Sequence, residues 1–294
     1  PWEDNFCCVE EGDESQHYAA CKKNPVHGNF FPVEKFSMNN LPRFYRREDV
    51  MKFVQLMSDL TVRVSVKYVS ENRPETVPGT DIPYPWSGIK GSHLTRVGTG
   101  WIEGTGICDS QTCCCKECKN SLEPKPQYGL IQIRTAAHLV YDQLESEHTT
   151  CHLFFDSGET PNVCTNVVTL TDVHTFSNKN RPDACKIILF THDLDLVLSL
   201  RNMTFQYSDT FDIMKKCVKE NGAEYIKQGH PLYIVVSHPH GCAKQISICC
   251  CGNSDPGNPD TEDSQCSHAS ILCPGSSGAP LVDLSWKLVY PVIE

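Results

Sequence analysis

Apolar residues recur at two different spacings along the chain, and the change of spacing marks its elements. Between Arg46 and Leu60 the apolar positions Val50, Phe53, Val54, Met57 and Leu60 fall three or four residues apart, which predicts a surface helix with one buried face. From Thr61 to Val69 the period drops to two. Val62, Val64, Val66 and Tyr68 alternate with Arg63, Ser65 and Lys67, the pattern of a half-buried strand. Beyond a Pro/Gly-rich linker at residues 74–92, short apolar runs follow one another: VGTGWI, YGLIQIRTAAHLV, CHLFF, NVVTLTDV, CKIILF, LYIVVS, KQISI, APLVDL and KLVYPVI. These runs and the first strand make about ten short strands separated by turn residues, which predicts barrels or a sandwich rather than a helical fold. The segment THDLDLVLSLRN reads either as a strand opening at Asp195 or as a short helix capped by Thr191. Residues 1–40 show neither period. They are expected as an irregular extension packed on the domain, with the acidic stretch from Glu10 to Glu14 a solvated surface.

Composition sets limits on size and partners. A chain of 294 residues with 39% apolar residues can bury a full core, spread over two lobes. A net charge of −10 without a Lys/Arg block offers nothing to nucleic acid or to an anionic membrane, so neither partner is expected. No apolar run approaches the length of a bilayer crossing.

The 18 cysteines are an even number, as a disulfide framework requires. Their placement argues partly otherwise, because Cys113-Cys114-Cys115 and Cys249-Cys250-Cys251 are consecutive triplets. Cys113, Cys115 and Cys118 form a CxCxxC cluster that can hold zinc as thiolates, with a fourth ligand expected from Cys108, Cys114, Cys151, His148 or His152. Structural zinc, disulfides and free thiols all stay open for this loop.

Two motifs bear on catalysis. In TAAH the small residues Thr135, Ala136 and Ala137 let a strand end pack tightly while His138 projects into a cleft; an ordinary buried histidine is the competing explanation. In PGSSGAP, residues 274–280, Gly275 and Gly278 flank Ser276 and Ser277 in a tight loop whose backbone N–H groups can converge on a developing negative charge. An ordinary turn before the strand APLVDL is the competing explanation there. His238 and His240 in SHPHG are expected to shape a turn beside the cleft, with metal chemistry as the competing explanation.

Together these motifs resemble the chymotrypsin-like serine peptidases, in which the base histidine follows T-A-A and the nucleophile sits in G-[DN]-S-G-G-P. VVSHPHGCAKQISI and VGTGWI are similar to the corresponding strands of the HtrA-like branch, and the order of histidine first and serine last is that of chymotrypsin. The resemblance covers roughly residues 95–294. It implies a mainly β domain over residues 61–294, built as two six-stranded antiparallel barrels, with residues 1–60 as a helix-containing extension. It further implies a serine endopeptidase acting on protein or peptide, with no cofactor for catalysis. His138 is the base, Ser277 the nucleophile and Asp183, leaving the turn NKNRP and entering CKIILF, the acid; Asp195 is the second choice. Gly275 and Ser277 would supply the oxyanion donors. Ile271, six residues before Ser277, would floor the primary pocket and favour small or aliphatic residues.

Departures are also visible. Ser276 stands where digestive proteases carry Asp, and Leu139 where secreted trypsins carry Cys, which moves the chain away from that branch and favours an intracellular location. Ala279 replaces the usual second glycine. A catalytically silent relative serving as a binding or regulatory module is the alternative.

Overall fold

The 3.6-residue spacing of Val50, Phe53, Val54 and Met57 forms helix α2 (Glu48–Asp59), and all four side chains are buried. Glu48 and Asp49 in its first turn complement the helix dipole. The computed structural model describes residues 7–8, 13–109, 111–113, 115–177, 183–228, 232–250, 271–284 and 287–289. Among these the chain is mainly β, with two sheets and some helices.

The first sheet contains β1 (Cys7–Cys8), β3 (Thr61–Val66), β4 (Arg96–Cys108), β5 (Tyr128–Ala136), β6 (Thr149–Leu153), β7 (Val168–Leu170), β8 (Val173–Ser177) and β9 (Ala184–Thr191). Its strands run in the order β7-β6-β3-β4-β5-β9-β8, with β1 paired to β4 off that path. Only Thr171 and Asp172 separate β7 from β8, the two edges of the sheet. Leu170 and Val173 therefore lie within about 11 Å of each other. Seven strands laid flat would put their edges roughly 29 Å apart, six spacings of about 4.8 Å. The sheet must curl, and it forms a half-barrel. A register shift between Ile102 and Gly104 interrupts the long strand β4 where it pairs with β5.

The second sheet contains β2 (Phe30–Pro32), β10 (Leu232–Ser237), β11 (Gln245–Cys250), β12 (Leu281–Asp283) and β13 (Lys287–Val289), in the order β13-β12-β10-β11-β2. The expectation of two six-stranded barrels thus meets an eight-stranded curled sheet and a five-stranded one. The N-terminal segment is not irregular. It forms α1 (Glu14–Ala19) and contributes β1 to the first sheet and β2 to the second.

Three further expectations are corrected. Strand β3 is buried on both faces, not half-buried, because Arg63 is covered by the N-terminal segment and paired with Glu14 at 3.0 Å. Glu14 is accordingly 2% exposed rather than part of a solvated surface; Glu10 lies outside the described residues. The segment after Thr191 becomes α5 (Leu194–Gln228), far longer than the short helix expected. Val197 and Leu200 of α5 join the core inside the half-barrel, with Val62, Val64, Ile133 and Ile187. Met214 joins a second core between α2 and the five-stranded sheet, with Phe53, Met57, Ile234 and Val282. Tyr207 of α5 and Trp101 of β4 pack against both. One helix thereby seals two cores. Among the described residues no helix is long and apolar enough to cross a membrane.

Candidate functional site

The register of β5 against β9 decides which acid meets His138. Ala136 pairs with Ala184, so the residues just outside the ladder, Ala137-His138 and Asp183, face each other. Ala137 N–H donates to the Asp183 carbonyl at 3.2 Å. His138 N–H donates to Asp183 Oδ1 at 2.9 Å, and His138 Nδ1 lies 2.7 Å from Oδ2. One carboxylate therefore holds both the backbone and the ring of a single histidine. Opposite an ionised carboxylate Nδ1 is the donor, which leaves Nε2 of the neutral ring as the acceptor. Asp195 sits in the first turn of α5, beyond Thr191, which pairs with Gly129 at the far end of β5. Asp193, not Thr191, caps that helix by accepting the Leu196 N–H at 2.9 Å.

The loop that carries Ser277 is docked on the same strands through Thr99 of β4. Thr99 N–H donates to the Ser277 carbonyl and Thr99 Oγ1 to the Gly275 carbonyl, both at 2.8 Å. Thr135, in the TAAH motif, donates its hydroxyl to the Thr99 carbonyl at 2.8 Å. Thr99 therefore ties the Ser277 loop to the strand end that carries His138. Gly275 and Gly278 have φ of +94° and +87°, and close approach excludes side chains at both. A Cβ at Gly275 would stand 2.5 Å from the His238 carbonyl oxygen; one at Gly278 would collide with the Thr99 carbonyl and stand 2.9 Å from Ala136 N. Among the described residues, neither Gly275 N–H nor Ser277 N–H finds an acceptor. Ser276 is an internal strut, its Oγ accepting the Cys273 N–H at 3.2 Å and lying 3.1 Å from Ser237 Oγ. Ile271 is fully buried in an apolar cluster beneath the loop with Val235, Leu272, Ala279 and Leu281. The methyl group of Ala279 is absorbed there.

The turn after His138 rests on a buried charge network that the sequence did not suggest. Glu145, in α4 (Gln143–Ser146), is 0% exposed. Its carboxylate accepts Arg73 Nε at 2.6 Å, Arg73 Nη2 at 2.8 Å, Arg96 Nη2 at 2.9 Å, Ser70 N–H at 2.8 Å and Tyr141 N–H at 2.9 Å. Arg73 also donates to the His138 carbonyl at 2.9 Å and Arg96 to the Leu139 carbonyl at 3.3 Å.

The cysteine loop brings Cys113, Cys115 and Cys118 around His192, whose Nε2 lies 3.3, 3.8 and 3.4 Å from their sulfurs. The four ligand atoms all lie within 4.8 Å of one another, so the group can hold a metal ion. The three cysteines are free thiols, whereas Cys249 is disulfide-bonded, so the chain uses cysteine in both ways. Burial pushes the Cys113 thiol up to about 12, and backbone N–H groups of Cys118 and Lys125 point at the sulfurs of Cys115 and Cys118 at 3.3 and 3.4 Å. The fourth partner is His192, not one of the five residues expected. Cys151 lies fully buried in β6, inside the half-barrel core. His152 faces Arg63 at 3.4 Å, and His148 packs on Tyr68 with ring centroids 5.0 Å apart. Cys108 packs beside the cluster, and Cys114 lies outside the described residues. The signal that finds His192 is strand pairing: it follows Thr191, which β9 lays beside Gly129, just past the cysteine loop. No family model matches the chain, and no curated protein or solved structure does either.

Proposed function

We propose that the chain is a serine endopeptidase of the chymotrypsin-like kind, with His138, Asp183 and Ser277 as its triad. The observation that carries this reading is the two-point hold of Asp183 on His138, through the backbone N–H at 2.9 Å and Nδ1 at 2.7 Å. It fixes the tautomer in which Nε2 is a base. The Ser277 loop is tied through Thr99 to the strand end that carries this histidine. In the reaction Ser277 Oγ attacks the carbonyl carbon of the scissile bond as its proton passes to His138 Nε2. The negative charge on the former carbonyl oxygen is met by the Gly275 and Ser277 N–H groups. His138 then gives its proton to the departing amine, and water enters by the same base to free the acyl group. Asp183 stays ionised and stabilises the imidazolium. Two barrels flanking the cleft are the finer architecture this reading implies, and the half-barrel bearing His138 and Asp183 supports one of them. No cofactor takes part; zinc at Cys113, Cys115, Cys118 and His192 is structural.

A fluorophosphonate probe is expected to label the wild-type chain at Ser277, located by peptide mass, and to leave Ser277→Ala unlabelled. A folded wild type that takes no label would reject the peptidase in favour of a silent binding module. Substrate preference follows from the ground beneath the loop. Ile271, packed among Ala279 and Leu281, offers no carboxylate to a Lys or Arg side chain, and an unpaired charge buried there is costly. Small or aliphatic residues on the acyl side are expected, each buried methylene contributing about 0.8 kcal/mol. Cleavage of a mixed peptide library dominated by sites after Lys or Arg would show this assignment of the pocket to be wrong.

A further inference from the structure

A second group of metal-ligand side chains lies behind the nucleophile loop, drawn from three distant parts of the chain. Cys21 and His27 come from the N-terminal segment, His240 from the turn at 239–241, and Cys273 from the residues just before Ser277. All are buried, at 5%, 7%, 5% and 3% exposure respectively, and their ligand atoms all lie within 4.8 Å of one another. Cys273 Sγ is 3.8 Å from Cys21 Sγ and 3.4 Å from His27 Nε2. His240 Nε2 is buried and has no hydrogen-bond partner among the described residues, a costly condition for a ring nitrogen unless something else occupies its lone pair.

The surroundings fit a bound cation. Asn24 directs its backbone N–H at Cys21 Sγ (3.3 Å) and its amide Nδ2 at Cys273 Sγ (3.1 Å), donors that suit thiolates far better than thiols. The Tyr18 ring stacks on His27 at 3.7 Å and fixes its plane. His27 and His240 both hold left-handed backbone, with φ of +48° and +54°, a conformation costing roughly 1–3 kcal/mol for a residue other than glycine. Two strained histidines and two sulfurs, their ligand atoms all within 4.8 Å of one another, form a Cys2His2 donor set, one of the kinds that close around zinc and leave no open position.

We propose that Cys21, His27, His240 and Cys273 bind a structural zinc ion, separate from the one at the Cys113 cluster, that fastens the N-terminal segment to the Ser277 loop. Binding converts two thiols to thiolates and releases their two protons, so the filled site carries no net charge. The ion would fix the loop from both sides, since His240 N–H donates to the Pro274 carbonyl and Cys273 N–H to Ser276 Oγ. This inference does not rest on the peptidase reading, because a metal that closes a fold is needed whether or not Ser277 reacts.

Zinc in the full-length chain, purified under reducing conditions, is the measurement. Wild type is expected to hold about two zinc ions, and Cys118→Ser and Cys273→Ser about one each. X-ray absorption of the wild-type protein needs no variant to fold. Averaging Cys3His with Cys2His2 predicts about 2.5 sulfur and 1.5 nitrogen neighbours per zinc, against about 3 and 1 if only the Cys113 site is filled. One zinc in the wild type, lost in Cys118→Ser, would overturn the proposal. So would a Cys21–Cys273 disulfide in the reduced, metal-replete protein. Ser277→Ala leaves zinc content unchanged, so failure of the peptidase reading is told apart from failure of this one.

Discussion

Asp183→Asn is expected to lower kcat about 10⁴-fold at neutral pH with little change in thermal stability. The size of the effect follows from how the carboxylate is held. Its Oδ1 accepts the His138 backbone N–H and its Oδ2 faces Nδ1. In the variant the amide oxygen must stay on the backbone N–H, because turning the NH2 toward that group would set donor against donor. The NH2 is then left against Nδ1, which has to become an acceptor. The proton moves to Nε2, and the ring can no longer take one from Ser277. The side chain keeps its shape and its backbone hydrogen bond, so the fold is undisturbed. Turnover of a labelled protein substrate and the rate of fluorophosphonate labelling should fall together, with an unchanged unfolding midpoint. Activity within tenfold of wild type would mean that Asp183 is a structural cap on the His138 turn and that another group orients the base.

The difference between what was readable in the sequence and what was not is largely one of range. His138 and the Ser277 loop announce themselves through neighbours within four residues, and Asp183 through its turn-to-strand setting. The contacts built around these residues and in the metal-ligand clusters come from much further away. Glu145 meets Arg73 and Arg96 across 72 and 49 residues, His192 meets Cys115 across 77, and Cys21 meets Cys273 across 252. No local pattern encodes such pairs; the register of β5 with β9 brings His192 to the cysteine loop, and the docking of the N-terminal segment brings Cys21 to Cys273. Helix α5 shows a different failure. Leu194, Leu196, Leu198 and Leu200 alternate like a strand, and the helical row of Val197, Leu200, Tyr207 and Met214 emerges only over four turns. Glu14 misled because an acidic run is usually solvated, and the arginine that buries this one lies 49 residues on.

Glu145→Gln is expected to destabilise the fold by about 3–5 kcal/mol, the usual cost of removing one partner from a buried ion pair. A buried salt bridge by itself says little about net stability, since desolvation offsets much of the attraction. Removing the anion is another matter. Arg73 and Arg96 are 1% exposed each and cannot shed their protons, so both charges stay buried once the carboxylate they share is gone. The glutamine NH2 also points a donor into a ring of donors: Arg73 Nε and Nη2, Arg96 Nη2, and the Ser70 and Tyr141 N–H groups. Salt should not rescue the variant, because water does not reach the pair. The same change reaches the site, for the two arginines that lose their anion are those gripping the carbonyls of His138 and Leu139. Guanidinium unfolding followed by tryptophan fluorescence supplies the number, and activity per folded molecule supplies the link to catalysis. A loss below about 1 kcal/mol would show that the arginines relax to water and that the His138 turn does not depend on Glu145.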